Sequence, residues 1–112
     1  MENIIEIKSF NFAVRIVNLH KFLSKKKEHV LSTQVLRCGT SIGANIAEAE
    51  QAQSRADFVS KMSIALKEAS ETKYWLRLLK ATKYISTEEF NSIFNDCIEI
   101  EKILVSIIKS SK

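Results

Sequence analysis

The residues best placed to do chemistry are cations. Lys73, Arg77, Lys80 and Lys83 follow one another at i, i+4, i+7 and i+10, a spacing that lays them along one side of a helix. Lys25, Lys26 and Lys27 close an earlier apolar-periodic segment, with Lys21 one turn before them. Tyr74, Trp75 and Tyr84 interleave with the later series. Cations grip phosphates and aromatic rings stack on bases, so this set points to RNA or DNA. A plainer reading competes with it. Lysines near helix C-termini complement the helix dipole, and aromatic side chains fill cores. The formal net charge of +4 permits nucleic-acid contact without demanding it.

A second constellation is polar. Arg37, Ser41, Asn45 and Glu48 recur at i, i+4, i+8 and i+11, and Glu71 lies on a later segment. Without a nucleophile beside a base, the set reads as a hydrogen-bond network fixing helix register, because buried polar groups need partners. Glu48, Glu50 and Glu68 raise the question of a carboxylate di-metal site. Such a site needs Glu-x-x-His pairs on two helices, and the chain has none. Cys38 and Cys97 match no metal spacing. Their apolar surroundings suggest buried free thiols in a reducing cytoplasm. No catalytic residue, cofactor site or metal site is expected.

Four helical segments must position these residues. The first runs from an N-cap at Ser9 to about Lys26, with Phe12, Ile16, Leu19 and Leu23 on one face and residues 1–8 as an irregular lead-in. The second runs from Ser32 to about Ala52 on Val35, Ile42, Ile46 and Ala49. The third runs from about Arg55 to Thr82, opened by Ser54 with Asp57 three residues on. The fourth opens at Ser86-Thr87-Glu88-Glu89, a capping box with Ile85 and Phe90 as its hydrophobic staple. Short connections and four helices predict an all-α, antiparallel up-down-up-down four-helix bundle, one domain over residues 1–112. No apolar run reaches the roughly 18 residues of a membrane span.

Two further features bear on packing. Both glycines, Gly39 and Gly43, lie in the second segment, where each costs roughly 1 kcal/mol against alanine. With Ala47 they share a face, which predicts close backbone approach by a neighbouring helix. The fourth segment is apolar around most of its circumference, which predicts a subunit interface through Ile100, Ile103 and Ile107.

The residues also resemble a known family. Gln34-Val35-Leu36-Arg37, Ser41-Ile42, Asn45-Ile46-Ala47-Glu48 and Ile64-Ala65-Leu66-Lys67-Glu68-Ala69-Ser70-Glu71-Thr72, with Lys8-Ser9 and Phe12-Ala13-Val14-Arg15-Ile16-Val17, are similar to the bacterial four helix bundle proteins. The founding members of that family are encoded in intervening sequences of large-subunit ribosomal RNA genes. Ala49 stands where a glycine often follows the motif, and Lys67-Glu68 where other branches carry Gly-Ser. The resemblance implies a bundle that assembles as a ring, commonly a homopentamer. Related accessory proteins of diversity-generating retroelements are basic pentamers that bind a reverse transcriptase, a nucleic-acid enzyme, together with nucleic acid.

Overall fold

The computed structural model describes residues 3–112. Four helices follow one another: α1 (Ile4–Lys25), α2 (Val30–Ala49), α3 (Arg55–Ala81) and α4 (Thr87–Ser111). No strand occurs among the described residues. Each helix packs on its neighbours in chain order, and α4 closes on α1. The connections are too short for anything but antiparallel neighbours. The result is the expected up-down-up-down bundle, 44 × 23 × 20 Å in extent.

The start of α1 differs from the expectation. Of the supposed lead-in at residues 1–8, residues 1 and 2 lie outside the described residues, while Ile4 to Lys8 are already helical. Asn3 is the cap. Its side-chain oxygen accepts from the Ile5 N–H at 3.1 Å, and its amide donates to Glu50 at 2.9 Å. Ser9 sits mid-helix and buried, its hydroxyl donating to the Glu6 carbonyl at 3.2 Å. It is there because it is small. A Cβ added to Gly43 would lie 3.4 Å from the Ser9 carbonyl oxygen, so α2 comes close to α1 here.

That close approach was expected of the glycines, and it is tightest at Gly39. A Cβ there would stand 2.8 to 3.0 Å from three side-chain atoms of Ile16. Ala47 does not take part, being exposed.

The other caps follow local chemistry. α2 starts earlier than Ser32 because Glu28, just ahead of the helix, turns its carboxylate onto the Leu31 N–H at 2.6 Å and the Ser32 N–H at 3.3 Å. It ends at Ala49, short of Ala52. Ser54 caps α3 by accepting from Asp57 N–H at 3.0 Å. Ser86 caps α4 by accepting from Glu89 N–H at 3.1 Å, and Ile85 and Phe90 are buried beside it. The Glu89 carboxylate reaches across to Arg15 on α1, 3.7 Å away.

The core is one cluster drawn from all four helices, including Phe12, Ile16, Ile42, Ile46, Met62, Leu76, Ile93 and Leu104. Ile100 belongs to it, 1% exposed. Ile103 and Ile107 are half-buried against it. The expectation is therefore corrected at Ile100, which turns into its own bundle, while Ile103 and Ile107 keep part of their surface exposed. The exposed apolar stripe lies on α1 instead. Ile7, Phe10, Val14 and Val17 recur at i, i+3, i+7 and i+10 and are all exposed. The opposite side of α1 carries the buried Ile5, Phe12, Ile16, Leu19 and Leu23. One helix thus presents two apolar faces, one inward and one outward. Ion pairs tie α1 to α4: Lys8 to Glu99 at 3.0 Å and Arg15 to Asp96 at 2.7 Å.

Candidate nucleic-acid interface

The antiparallel order puts the C-termini of α1 and α3 at one end with the N-terminus of α4. A groove of about 1010 Å³ opens there. Lys26, Lys80 and Lys83 stand around it, together with Arg15 and the Glu89 that pairs with it. Its apolar surface comes from Leu19, Phe22, Tyr84 and Ile85. A second groove of about 640 Å³ adjoins it and shares Lys80 and Ala81. Tyr74, Arg77, Phe90 and Phe94 line that one.

The cations gathered by sequence spacing do not all behave alike. Lys25 and Arg77 are exposed. The Lys26 ammonium rests over the Phe22 ring, 4.6 Å from its centre, and that of Lys80 over Phe90 at 4.7 Å. Such contacts hold a cation near a ring without neutralising it. Lys73 is different. It pairs with Glu101 on α4 at 2.9 Å, so its charge is largely spent within the bundle. Of the aromatics, Tyr74 is exposed, while Trp75 packs on the core and meets Tyr74 edge-on at 5.0 Å.

Lys27 and Lys83 hold left-handed backbone conformations, φ 64° and 66°. Each ends its helix in the same way. The N–H of Glu28 donates to the Leu23 carbonyl at 2.9 Å, and that of Tyr84 to the Leu79 carbonyl at 3.0 Å. Glycine is the usual occupant of such a position. A Cβ there costs roughly 1 to 2 kcal/mol, which outweighs the roughly 0.4 to 1 kcal/mol that glycine costs through the unfolded chain. Lys83→Gly is therefore expected to raise the urea midpoint. An unchanged or lower midpoint would show that the lysine side chain contributes more to folding than its backbone costs.

The polar stripe does not close into one network. Asn45 donates to the Ser41 carbonyl at 2.9 Å and hydroxyl at 3.1 Å, one turn back on α2. Arg37, Glu48 and Glu71 are exposed, and Glu48 pairs with Lys61 at 3.2 Å. Spacing on α2 placed these side chains on one stripe, but that stripe borders solvent along much of its length. Nearby, partial burial and then the Glu71 carboxylate push the Glu68 acid above its ordinary range. Among the described residues, no group of three or more His, Cys, Asp or Glu is placed to hold a metal.

Both thiols are free and buried. Burial pushes Cys97 up to about 12, with Glu101 adding to it. Burial likewise raises Cys38, helped by Glu71 and Glu68. Cys97 donates weakly to the Ala69 carbonyl at 3.4 Å. An acid raised in the folded state keeps its proton longer there than in the unfolded chain. Its contribution is full below the ordinary value of 9.0 and is lost as pH rises from there toward about 12. The urea midpoint is thus expected to fall over that window, and Cys97→Ala to flatten part of the fall. Parallel curves for the two proteins would refute the assignment.

The chain matches the model of the 23S rRNA-intervening sequence protein family over residues 1–106. No curated protein matches it. Among solved structures it is similar to a crystal structure of a protein of unknown function from the S23 ribosomal protein family of Bacteroides thetaiotaomicron VPI-5482. The two chains are 65% identical with a TM-score of 0.92, over 94% of this chain and 98% of that one. A family model that spans nearly the whole chain, and a bundle that superposes on that crystal structure, lead to one conclusion: the chain belongs to the 23S rRNA-intervening sequence protein family.

Proposed function

We propose that the chain is a homo-oligomeric scaffold without enzymatic activity. In this reading it holds nucleic acid, or an enzyme that works on nucleic acid, at its basic end. The observation that carries it is the convergence of Lys26 from the end of α1 with Lys80 and Lys83 from the end of α3 around one groove. Nucleic-acid affinity is dominated by phosphate contacts of this kind. The exposed apolar stripe of α1 supports self-association, and the resemblance noted above implies a ring, commonly a pentamer. A ring repeats the basic end once per subunit, and avidity multiplies weak contacts. Two free thiols suit a reducing compartment, the cytoplasm in this reading.

The test is a fluorescence-anisotropy titration at two salt concentrations. Wild type is expected to bind RNA or DNA weakly, and less as salt rises. Changing Lys26, Lys27, Lys80 and Lys83 together to glutamate is expected to abolish binding with the helical signal intact. Absence of binding at low salt would favour the other reading that the α1 stripe supports, an oligomeric protein-interaction module with no nucleic-acid role.

A further inference from the structure

We infer that the two adjoining grooves form a track for single-stranded nucleic acid, with unpaired bases seated against Phe22, Tyr84 and Tyr74. This rests on the nucleic-acid reading above and goes further, to the class of strand. The starting point is the company the cations keep. A surface that only collects phosphates needs no aromatic rings beside its lysines and arginines. Here the cations border concave grooves lined in part by aromatic and aliphatic side chains, with Asn18, Ser86, Thr87 and Glu89 also on the first. Phe22 is 46% exposed and Tyr74 56% exposed. Neither ring is needed to fill the core, which the inward faces of the helices already fill.

A duplex cannot use these surfaces. Its bases are paired and stacked inside it, and it would touch only the rim. An unpaired base has a free face, and stacking of such faces on aromatic rings is how sequence-tolerant single-strand binders work. The first groove, at about 1010 Å³, is roomy on the scale of small-molecule pockets, roughly 300 to 1,000 Å³. Lys80 and Ala81 join it to the second groove. A backbone passing over Lys80 would set successive bases on either side, with Lys26 and Lys83 on one flank and Arg77 on the other. Lys26 now covers the Phe22 ring at 4.6 Å. A base would displace that ammonium from the ring and leave it beside the phosphate.

The experiment compares a labelled oligonucleotide of mixed sequence with the same strand annealed to its complement. Wild type is expected to bind the single strand roughly tenfold more tightly, the worth of about one stacked base. Phe22→Ala is expected to remove most of that preference and to leave duplex binding unchanged. Phe22→Trp is expected to keep it, a rescue that a merely structural role would not produce. Lys83→Gly is expected to weaken single-strand binding while the fold is retained. Equal affinity for the two forms, or a preference that survives Phe22→Ala with Tyr74→Ala, would overturn the track and leave phosphate binding at the basic end standing. Absence of binding to either form would overturn both.

Discussion

Gly39→Ala is expected to destabilise the bundle, although alanine is the better helix former. The new Cβ meets three side-chain atoms of Ile16 at 2.8 to 3.0 Å. Ile16 is fully buried, and a β-branched side chain in a helix has one strongly preferred rotamer. It cannot swing away, so α1 must shift or Ile16 must strain. Overpacking of this kind costs roughly 1 to 3 kcal/mol, against a gain of up to about 1 kcal/mol in propensity. The melting temperature is expected to fall by roughly 4 to 8 °C for each net kcal/mol lost. Gly43→Ala is the contrast. The nearest atoms its Cβ would meet are the Ser9 backbone and hydroxyl, at 3.4 to 3.6 Å, which is ordinary contact. That variant is expected to melt at or above wild type. A double-mutant cycle of Gly39→Ala with Ile16→Ala then isolates the clash: the pair together should cost less than the sum. Additive costs, or a rise in melting temperature for Gly39→Ala alone, would refute the close contact.

Both glycines were legible as packing residues, but their order of importance was not. The sequence carries no record of which partner side chain faces each one. It is the branched Ile16 opposite Gly39 and the small Ser9 opposite Gly43 that make one contact tight and the other loose. The start of α4 was legible because Ser86, Glu89, Ile85 and Phe90 make a signal confined to adjacent residues. The start of α1 was misread because a serine reads alike as a cap and as a small buried residue. Asn3 with Glu6 three residues on was the better signal, and the buried series carries it back through Ser9 to Ile5. The basic end was legible from topology, since parallel α1 and α3 must end together. The exception within it, Lys73, is neutralised by Glu101 on another helix, a partner that spacing on α3 alone cannot show.

The outward face of α1 was missed for a different reason. Hydrophobicity marks a residue for burial without saying in what. On α4 the broad apolar arc suggested a neighbour subunit, yet Ile100, Leu104 and Ile108 are buried in their own core. On α1 the stripe Ile7, Phe10, Val14 and Val17 was masked by the inward series running beside it. Substituting one residue on each face separates the two. Ile100→Glu is expected to unfold the chain, because an unpaired carboxylate in a site 1% exposed costs several kcal/mol. That is a large part of the roughly 5 to 15 kcal/mol by which a domain is stable. Phe10 is 68% exposed, so Phe10→Glu is expected to change the stability of a subunit by only about 0.5 kcal/mol or less. If α1 meets a second copy of the chain, that same substitution places a charge in the interface. Sedimentation equilibrium is then expected to shift from an oligomer to a 12.8 kDa species with the helical signal unchanged. A wild type that already sediments at that mass would remove the oligomer from the proposed function. An oligomer that survives Phe10→Glu and Val14→Glu together would place the contact elsewhere, with the half-buried Ile103 and Ile107 of α4 as the next surface to change.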